Sequence, residues 1–169
     1  MSARTLLLAA AACAVLGGAV TEVTAADAAA RPAAPKIPPS VRLGKCKLTL
    51  GTPYLWRDFM PIVAKPGPDG GSPLYTTCEL VIDNSAGAKA VRFSWSAVVR
   101  DEAGKEHPLA VQGKKAVVPA HKTSRIRIVD RNGPYLKAGS TCTLILKIVT
   151  PGGKVHRLRA KPTPIQATH

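Results

Sequence analysis

The sequence has few aromatic and few acidic residues: seven Phe, Trp and Tyr and ten Asp and Glu among 169 residues. The closest-spaced acidic residues, Asp101, Glu102 and Glu106, share a short turn with Lys105, which argues against a calcium site. The sequence also lacks a G-x-S-x-G elbow, a Ser-x-x-Lys pair and a complete phosphate loop. These absences argue against the common nucleophilic and phosphate-binding enzymes. We therefore predict no catalytic residues and no cofactor.

Histidine is scarce as well, with four residues in the chain. Together with Met60 they could in principle supply the site of an exported copper carrier, which is a rival class of function. The spacing of His107, His121, His156 and His169 follows no metal-binding pattern. We therefore predict no metal site.

Long hydrophobic runs are also rare, and the one present is near the N-terminus. Residues 6–20 (LLLAAAACAVLGGAV) follow Arg4 and are too few to span a bilayer comfortably as a helix. Small residues at signal-peptidase spacing come next, so residues 1–30 are predicted to be a signal peptide, with a lipid anchor on Cys13 as the alternative. No other segment approaches the ~20 apolar residues of a transmembrane helix. We expect a secreted or periplasmic protein without a membrane span.

Positive charge is abundant. Removal of residues 1–30 would leave 23 Lys and Arg against 8 Asp and Glu, a net charge of about +15. Such an excess constrains partners and solubility rather than fold. It favours acidic partners, such as anionic polymers of the envelope or the extracellular space.

Proline-rich segments flank a single predicted domain. Residues 31–40 contain four prolines and no hydrophobic period, which predicts a semi-rigid linker. Residues 161–169 are similar in kind and are predicted to be a disordered tail. The remaining residues, 41–160, are enough for one hydrophobic core.

Within this domain, hydrophobic and polar residues alternate, and no long stretch has helical spacing. This pattern predicts an all-β domain of about six or seven short strands, each with one buried face. An antiparallel β-sandwich suits this number of strands, and a closed barrel remains an alternative. The predicted strands lie at 41–50, 77–83, 89–100, 123–130, 141–149 and 154–160, with a short edge strand near 107–113.

Cys78, Trp95 and Cys142 fall on the buried phase of successive predicted strands. Their order, together with the stretches LVIDNSAG, VVRDEAGKE and VVPAHKTSRIRI, resembles bacterial secreted immunoglobulin-like modules, including the CARDB-like adhesion-related kind. The resemblance implies an immunoglobulin-like antiparallel sandwich in which a disulfide between Cys78 and Cys142 joins the sheets and packs on Trp95. The sequence departs from antibody domains at Ser140, where a tyrosine corner would place Tyr.

A third cysteine, Cys46, is also predicted to point inward, so bridges from Cys46 to Cys78 or to Cys142 remain open. Left unpaired, Cys46 is either a small buried hydrophobic residue or a thiol that joins two protomers. The sequence indicates no particular oligomeric state.

The phase of the alternation also predicts a basic surface. If Phe93, Leu146 and Leu158 point inward, the opposite side of the same strands carries cations and no acidic residue. Such a face would bind anionic polymers, or would only keep an exposed sheet soluble. Arg125 and Arg127 should lie on the opposite sheet, which favours diffuse charge. The predicted polyanion face consists of Arg92, Arg100, Lys147, Arg157 and Arg159.

Three of the seven aromatic residues, Tyr54, Trp56 and Phe59, adjoin a stretch rich in Pro and Gly, and we interpret residues 53–73 as a loop. These side chains either cap one end of the sandwich or form an exposed rim that stacks on sugar rings or packs on a protein partner. The sequence as a whole predicts an exported, non-catalytic binding or envelope-associated module. A protein-protein interaction or inhibitor module that uses this loop is the alternative.

The signal peptide leads to the first prediction. Protein recovered from the native envelope or culture medium should begin between about residue 26 and Arg31, because signal peptidase cleaves after small residues. N-terminal sequencing measures this directly. Mature protein that retains Met1, or that carries a lipid on Cys13, would contradict the prediction.

Overall fold

The structure, a computed structural model, describes residues 37–63, 65–111 and 115–169. The predicted signal peptide and residues 31–36 of the predicted linker lie outside these residues. The described residues form twelve β-strands and include no helix that could cross a bilayer. In chain order the strands are β1 (Ser40–Leu43), β2 (Cys46–Leu50), β3 (Tyr54–Asp58), β4 (Tyr75–Asp83), β5 (Val91–Arg100), β6 (Glu106–Pro108), β7 (Lys115–Val118), β8 (Thr123–Asp130), β9 (Thr141–Val149), β10 (Val155–Arg159), β11 (Thr163–Pro164) and β12 (Gln166–Thr168).

The first sheet is built around β4. Strand β8 pairs with β4 along one edge, while β2 and β3 pair with successive parts of its other edge. Strand β1 then pairs with β2, and β12 pairs with β3. All these pairs are antiparallel except the one between β12 and β3, which is parallel.

A β-bulge separates β2 from β3. The Gly51 amide donates to the Glu79 carbonyl at 2.8 Å, and Tyr54 is the next residue to pair, opposite Thr77. Thr52 and Pro53 therefore both stand opposite one residue of β4, as in a bulge. Because side chains alternate in a strand, the extra residue moves the buried positions from even numbers in β2 to odd numbers in β3.

The second sheet is built around β5 and β9. Trp95 of β5 lies opposite Ile148 of β9, and Lys147 of β9 lies opposite Arg157 of β10. Strands β6 and β7 pair with different parts of the free edge of β5. Strand β11 continues the edge of β9 beyond β10.

The inward side chains of both sheets form one hydrophobic core, which gives the domain a β-sandwich-like architecture. The inward positions predicted from alternation are confirmed, because Phe93, Trp95, Leu146 and Leu158 are all buried. Each such side chain contributes about 1.5–3 kcal/mol when it leaves water. The all-β prediction is therefore confirmed, and the strand phases of the second sheet with it.

The predicted number of strands is wrong, because several predicted strands are divided. Residues 41–50 form the hairpin of β1 and β2 rather than one strand, and Gly44 in their turn has a φ of +62° that disfavours residues with a Cβ. The predicted edge strand near residue 107 is β6, and the segment before β8 contributes β7 as a further edge piece.

The predicted disordered tail is also wrong, because residues 163–168 form β11 in the second sheet and β12 in the first. Ile165 lies between these strands, is 2% exposed and donates its amide to the Ser140 carbonyl at 2.9 Å. The Phe59 amide donates to the Thr168 carbonyl at 2.8 Å. Prolines at 162 and 164 suggested a tether, but backbone pairing with the start of β9 and with the edge of β3 holds the segment in place.

The described end of the predicted linker is attached to the domain as well. The Pro38 carbonyl accepts from the Arg159 amide and the Pro39 carbonyl accepts from the Leu50 amide, each at 2.9 Å. A proline has no amide to donate, but its carbonyl can still satisfy an edge strand.

Deletion of residues 165–169 should destabilise the domain, because it removes buried Ile165 and leaves the edge of β3 without β12. Truncation of a buried isoleucine lowers the free energy of unfolding by about 2–5 kcal/mol. We expect the deletion to lower it by at least as much. The control is Ile165→Ala, which removes the packing and keeps the strand pairing. Urea denaturation measures both, and an unchanged midpoint for the deletion would contradict the role assigned to the tail.

Candidate binding surfaces

All five cations of the predicted polyanion face lie on the outer side of the second sheet. Arg92, Lys147 and Arg157 are exposed, and Arg100 and Arg159 are half-buried. Lys147 of β9 lies opposite Ser96 of β5 on one side and opposite Arg157 of β10 on the other. Lys147 and Arg157 are therefore direct neighbours across the sheet. Arg159 follows one step along the same side of β10.

The edge strands add two charges to this surface. Lys115 of β7 lies opposite Ser94, and Glu106 of β6 lies opposite Arg100. Glu106 and Arg100 form an ion pair of 2.5 Å, and this hydrogen bond, with a smaller contribution from Arg157, lowers the pKa of Glu106. The charge of Arg100 is thus already compensated. We use the name basic face for Arg92, Arg100, Lys115, Lys147, Arg157 and Arg159.

The predicted aromatic loop begins as a strand, and its three aromatic residues do not come together. Tyr54 and Trp56 project outward from β3, with ring centroids 5.1 Å apart. Tyr75 of β4 stands opposite Trp56 and packs against it edge-on at 5.3 Å. Phe59 lies beyond the end of β3, where its ring is 5.7 Å from that of His169. Tyr54, Trp56 and Tyr75 form an aromatic cluster on the outer side of the first sheet.

A pocket of about 400 Å³ opens beside this cluster, at the bulge between β2 and β3. Its lining includes Tyr54 of β3, Thr77 and Glu79 of β4, and Arg127 of β8. The Arg127 Nε donates to Thr77 Oγ1 at 3.4 Å, and Glu79 pairs loosely with Arg125 at 3.7 Å. Aromatic, hydroxyl, carboxylate and guanidinium groups therefore meet in one concave site.

The structure also has a buried cation that the sequence analysis missed. Arg57 is 1% exposed, and its guanidinium donates to both carboxylate oxygens of Asp69, at 2.6 and 2.7 Å. It also donates to the carbonyls of Ser72 at 2.6 Å and Leu136 at 2.7 Å. The hydrogen bonds from Arg57 are the main reason why the pKa of Asp69 falls to about 2.

Two aromatic rings complete the site around Arg57. The guanidinium carbon lies 5.2 Å from the centre of the Phe59 ring and 5.8 Å from that of Tyr135, within the range of cation-π attraction. Gly67 and Gly71 let the loop approach these rings, since a Cβ at either residue would come within 2.4 or 2.6 Å of ring atoms. The arginine thus anchors the connection between β3 and β4 to the segment before β9. The one-residue shift at the bulge turns Arg57 inward. Gly51 and Pro53, which lie at the bulge, are the sequence signal that could have indicated it.

The expected disulfide between Cys78 and Cys142 is wrong, because all three described cysteines are free and buried. Cys78 lies beside the bulge and its Sγ donates to the Gly51 carbonyl at 3.3 Å. Cys142 lies at the start of β9, opposite Thr163 of β11. Burial is the main cause that raises the pKa of each of these two thiols to about 11. Such thiols are poor nucleophiles at neutral pH.

Cys46 is also buried, and desolvation raises its pKa, with the charge of Asp83 adding to the effect. This placement agrees with a small buried hydrophobic residue. Trp95 is 3% exposed and packs in the core without a disulfide, and its indole nitrogen has no hydrogen-bond partner there.

Among the described residues no three His, Cys, Asp or Glu side chains are grouped as metal ligands. Two of the histidines make other contacts: His107 Nε2 lies 2.9 Å from Asp101, and His121 Nδ1 lies 3.2 Å from the Ser85 carbonyl. The hydrogen bond with His107 is the main cause that lowers the pKa of Asp101.

Comparison with protein-family models and with curated proteins gives no match. Among solved structures, the X-ray structure of the Northeast Structural Genomics Consortium target SoR45 is 13% identical, with a TM-score of 0.44 over 72% of this chain and 86% of that chain. A putative ApaA protein from Bordetella pertussis is 12% identical, with a TM-score of 0.42 over 79% of this chain and 99% of that chain. The E. coli chaperone DraB is 16% identical, with a TM-score of 0.35 over 68% of this chain and 54% of that chain. These similarities are too low to assign the chain to a family.

The contact between Arg57 and Asp69 generates a pH prediction. The pKa of Asp69 in the folded protein, about 2, is below its ordinary value of 3.8, so the contact stabilises the fold above the ordinary value and is lost as the pH falls towards 2. Asp69→Asn should therefore be less stable than the parent above pH 4, and the difference should shrink as the pH falls from 4 to 2. Urea midpoints across this range measure it. The control is Glu79→Gln, which removes an exposed carboxylate elsewhere, and a constant difference between Asp69→Asn and the parent would contradict the role of the pair.

Proposed function

We propose that this protein is an exported, non-catalytic binding module that attaches to an anionic polymer of the envelope or the extracellular space through the basic face. A signal peptide at residues 1–30 would deliver it to that compartment. Removal of these residues would leave the mature domain with a net charge of about +15. This excess would attract polyanions and speed their encounter with the domain.

One observation carries the proposal: Lys147 and Arg157 are exposed and stand directly opposite each other on adjacent strands. Adjacent strands lie only about 5 Å apart, and like charges placed directly opposite each other are unfavourable. The acidic residue in the surrounding surface, Glu106, already pairs with Arg100. An anionic group that lies over Lys147 and Arg157 would relieve their repulsion.

A larger pocket of about 340 Å³ lies at the Arg92 and Lys115 end of the basic face, but the surface around Lys147 and Arg157 favours a polymer over a small molecule. The cavity between Lys147, Arg157 and Glu106 has a volume of only about 50 Å³, whereas sites that bury small ligands usually measure about 300–1,000 Å³. Cations placed in a row on the surface can contact successive charges of an extended chain instead. Release of counterions from such a chain would then drive binding.

We also propose that the sandwich is immunoglobulin-like, of the bacterial CARDB-like kind. The division into two mostly antiparallel sheets supports this proposal. So does the buried Trp95 on β5, which follows β4 and precedes β9 in the chain. The free cysteines depart from the disulfide of antibody domains. Stability must therefore come from packing and strand pairing.

A second candidate function is protein-protein contact or inhibition through residues 53–73. Met60 and Ile62, beyond the end of β3, are 55% and 95% exposed, which is unusual for large apolar side chains in a connecting segment. Binding through these residues would depend little on salt. Binding through the basic face would weaken steeply as salt increases.

The test is elution from a heparin column with a salt gradient, using Arg157→Ser/Arg159→Ser. The matched control is Arg125→Ser/Arg127→Ser, which removes two arginines with the same spacing from the outer side of the first sheet. The change on the basic face should lower the elution salt clearly more than the control does. It should also reduce the slope of log affinity against log salt by about 2, roughly one for each lost contact.

A plain cation-exchange column separates a site from total charge, because both double variants should shift equally there. Equal shifts of the two variants on heparin as well would mean that the basic face is no site. Retention that is insensitive to salt and lost in Met60→Ser/Ile62→Ser would favour the second candidate.

A further inference from the structure

The pocket at the bulge lies on the sheet opposite the basic face, so what it binds is independent of the proposed function. The bulge creates the pocket, because β3 is offset by one residue from the line of β2 where both pair with β4. Tyr54 is the first residue after the offset, and its side chain stands at the pocket wall. Bulges are frequently found where a side chain is redirected towards a ligand.

Tyr54 offers a fixed aromatic surface. Tyr54 is 50% exposed and Tyr135 is 47% exposed, whereas the other five aromatic residues are buried or half-buried. The ring of Trp56 supports it at 5.1 Å, and the edge-on contact of Tyr75 holds Trp56 in turn. A ring that is already held by its neighbours loses little conformational freedom when a flat ligand stacks on it.

Hydrogen-bonding groups surround this aromatic wall. Thr52 and Thr77 supply hydroxyl groups, Glu79 supplies acceptors and Arg127 supplies donors. Groups of both kinds within one pocket suit a ligand with several hydroxyl groups, each of which donates and accepts.

The pocket contains charges of both signs, because Glu79 of β4 stands opposite Arg127 of β8. On the outer side of β4, Glu79 and Asp83 stand opposite the cations and hydroxyls of β8, and Glu79 contacts Arg125. The carboxylate of Glu79 within the pocket would repel phosphate or sulfate. The ligand of this site should therefore carry no charge, in contrast to that of the basic face.

We propose that this pocket is a subsite for an uncharged pyranose unit of a polysaccharide. The apolar face of the sugar ring stacks on Tyr54, and its hydroxyl groups exchange hydrogen bonds with Glu79, Arg127 and Thr77. The pocket volume of about 400 Å³ has room for one such ring.

The test is affinity electrophoresis of the purified protein in native gels that contain dextran, galactomannan or soluble β-glucan, with a pull-down on chitin. At least one of these polymers should retard the parent. Tyr54→Ala should weaken that binding about tenfold, the scale of one lost aromatic stacking contact. Tyr54→Phe keeps the ring and should bind like the parent, and Arg157→Ser/Arg159→Ser should also bind like the parent. Binding should persist at about 0.5 M NaCl, where interactions between exposed charges are screened.

Thermal unfolding of each variant separates lost binding from lost folding, and Glu79→Gln provides a second variant that leaves the aromatic cluster intact. Failure to bind any of the four polymers, or equal binding by Tyr54→Ala and the parent, would overturn the proposal. A salt-sensitive interaction with oligo(dT) that Tyr54→Ala removes would overturn it in favour of single-stranded nucleic acid. The heparin experiment depends on Arg157 and Arg159 of the other sheet, and only its control variant alters a residue of this pocket, Arg127.

Discussion

The buried guanidinium of Arg57 is the interaction on which one end of the domain depends. It joins the carboxylate of Asp69 to the carbonyls of Ser72 and Leu136, so a Gly- and Pro-rich connection is held at several points by one side chain. A buried charge is costly unless it is paired and hydrogen-bonded, and here its partners lie in the segment that most needs ordering. Strand β12 lies beside β3 and covers its edge, so the C-terminus contributes to the same end.

Interrupted strands are the second constraint. Strands β2 and β3 pair with the same edge of β4 and are interrupted by a bulge opposite Cys78. Strands β10 and β11 pair with the same edge of β9 and are interrupted at residues 161–162, opposite Thr143. Short pieces of this kind protect the edges of a sheet, because an edge that is bent or already paired cannot recruit another chain. They also redirect side chains: the first offset buries Arg57 and exposes Tyr54. The bulge between β2 and β3 thus produces both the buried Arg57 site inside the domain and the pocket on its surface.

The two outer faces of the sandwich differ in electrostatics. The second sheet carries a row of cations in which Glu106 is matched to Arg100. The first sheet mixes acidic and basic residues and carries the aromatic cluster. A long-range positive field favours capture of a polyanion, whereas an aromatic surface with charges of both signs favours contact with an uncharged ligand at short range. Because the faces are on opposite sheets, the two proposed sites would not overlap.

Alternation of polar and apolar residues was sufficient to predict the all-β class, the strands β4, β5, β8, β9 and β10, and the side on which Arg92, Lys147 and Arg157 lie. These features follow from local geometry, since successive side chains of a strand point to opposite faces. Only the tertiary structure decided the strand pairing of residues 163–168, the free state of Cys78 and Cys142, and the inward position of Arg57. Each depends on contacts between residues distant in sequence: edge strands that recruit a proline-containing tail, two cysteines held in different surroundings, and a bulge that shifts the phase by one residue. Gly51 and Pro53 mark a break between two strands, but the resulting shift of phase, which exposes Tyr54 and buries Arg57, appears only when the strands are paired.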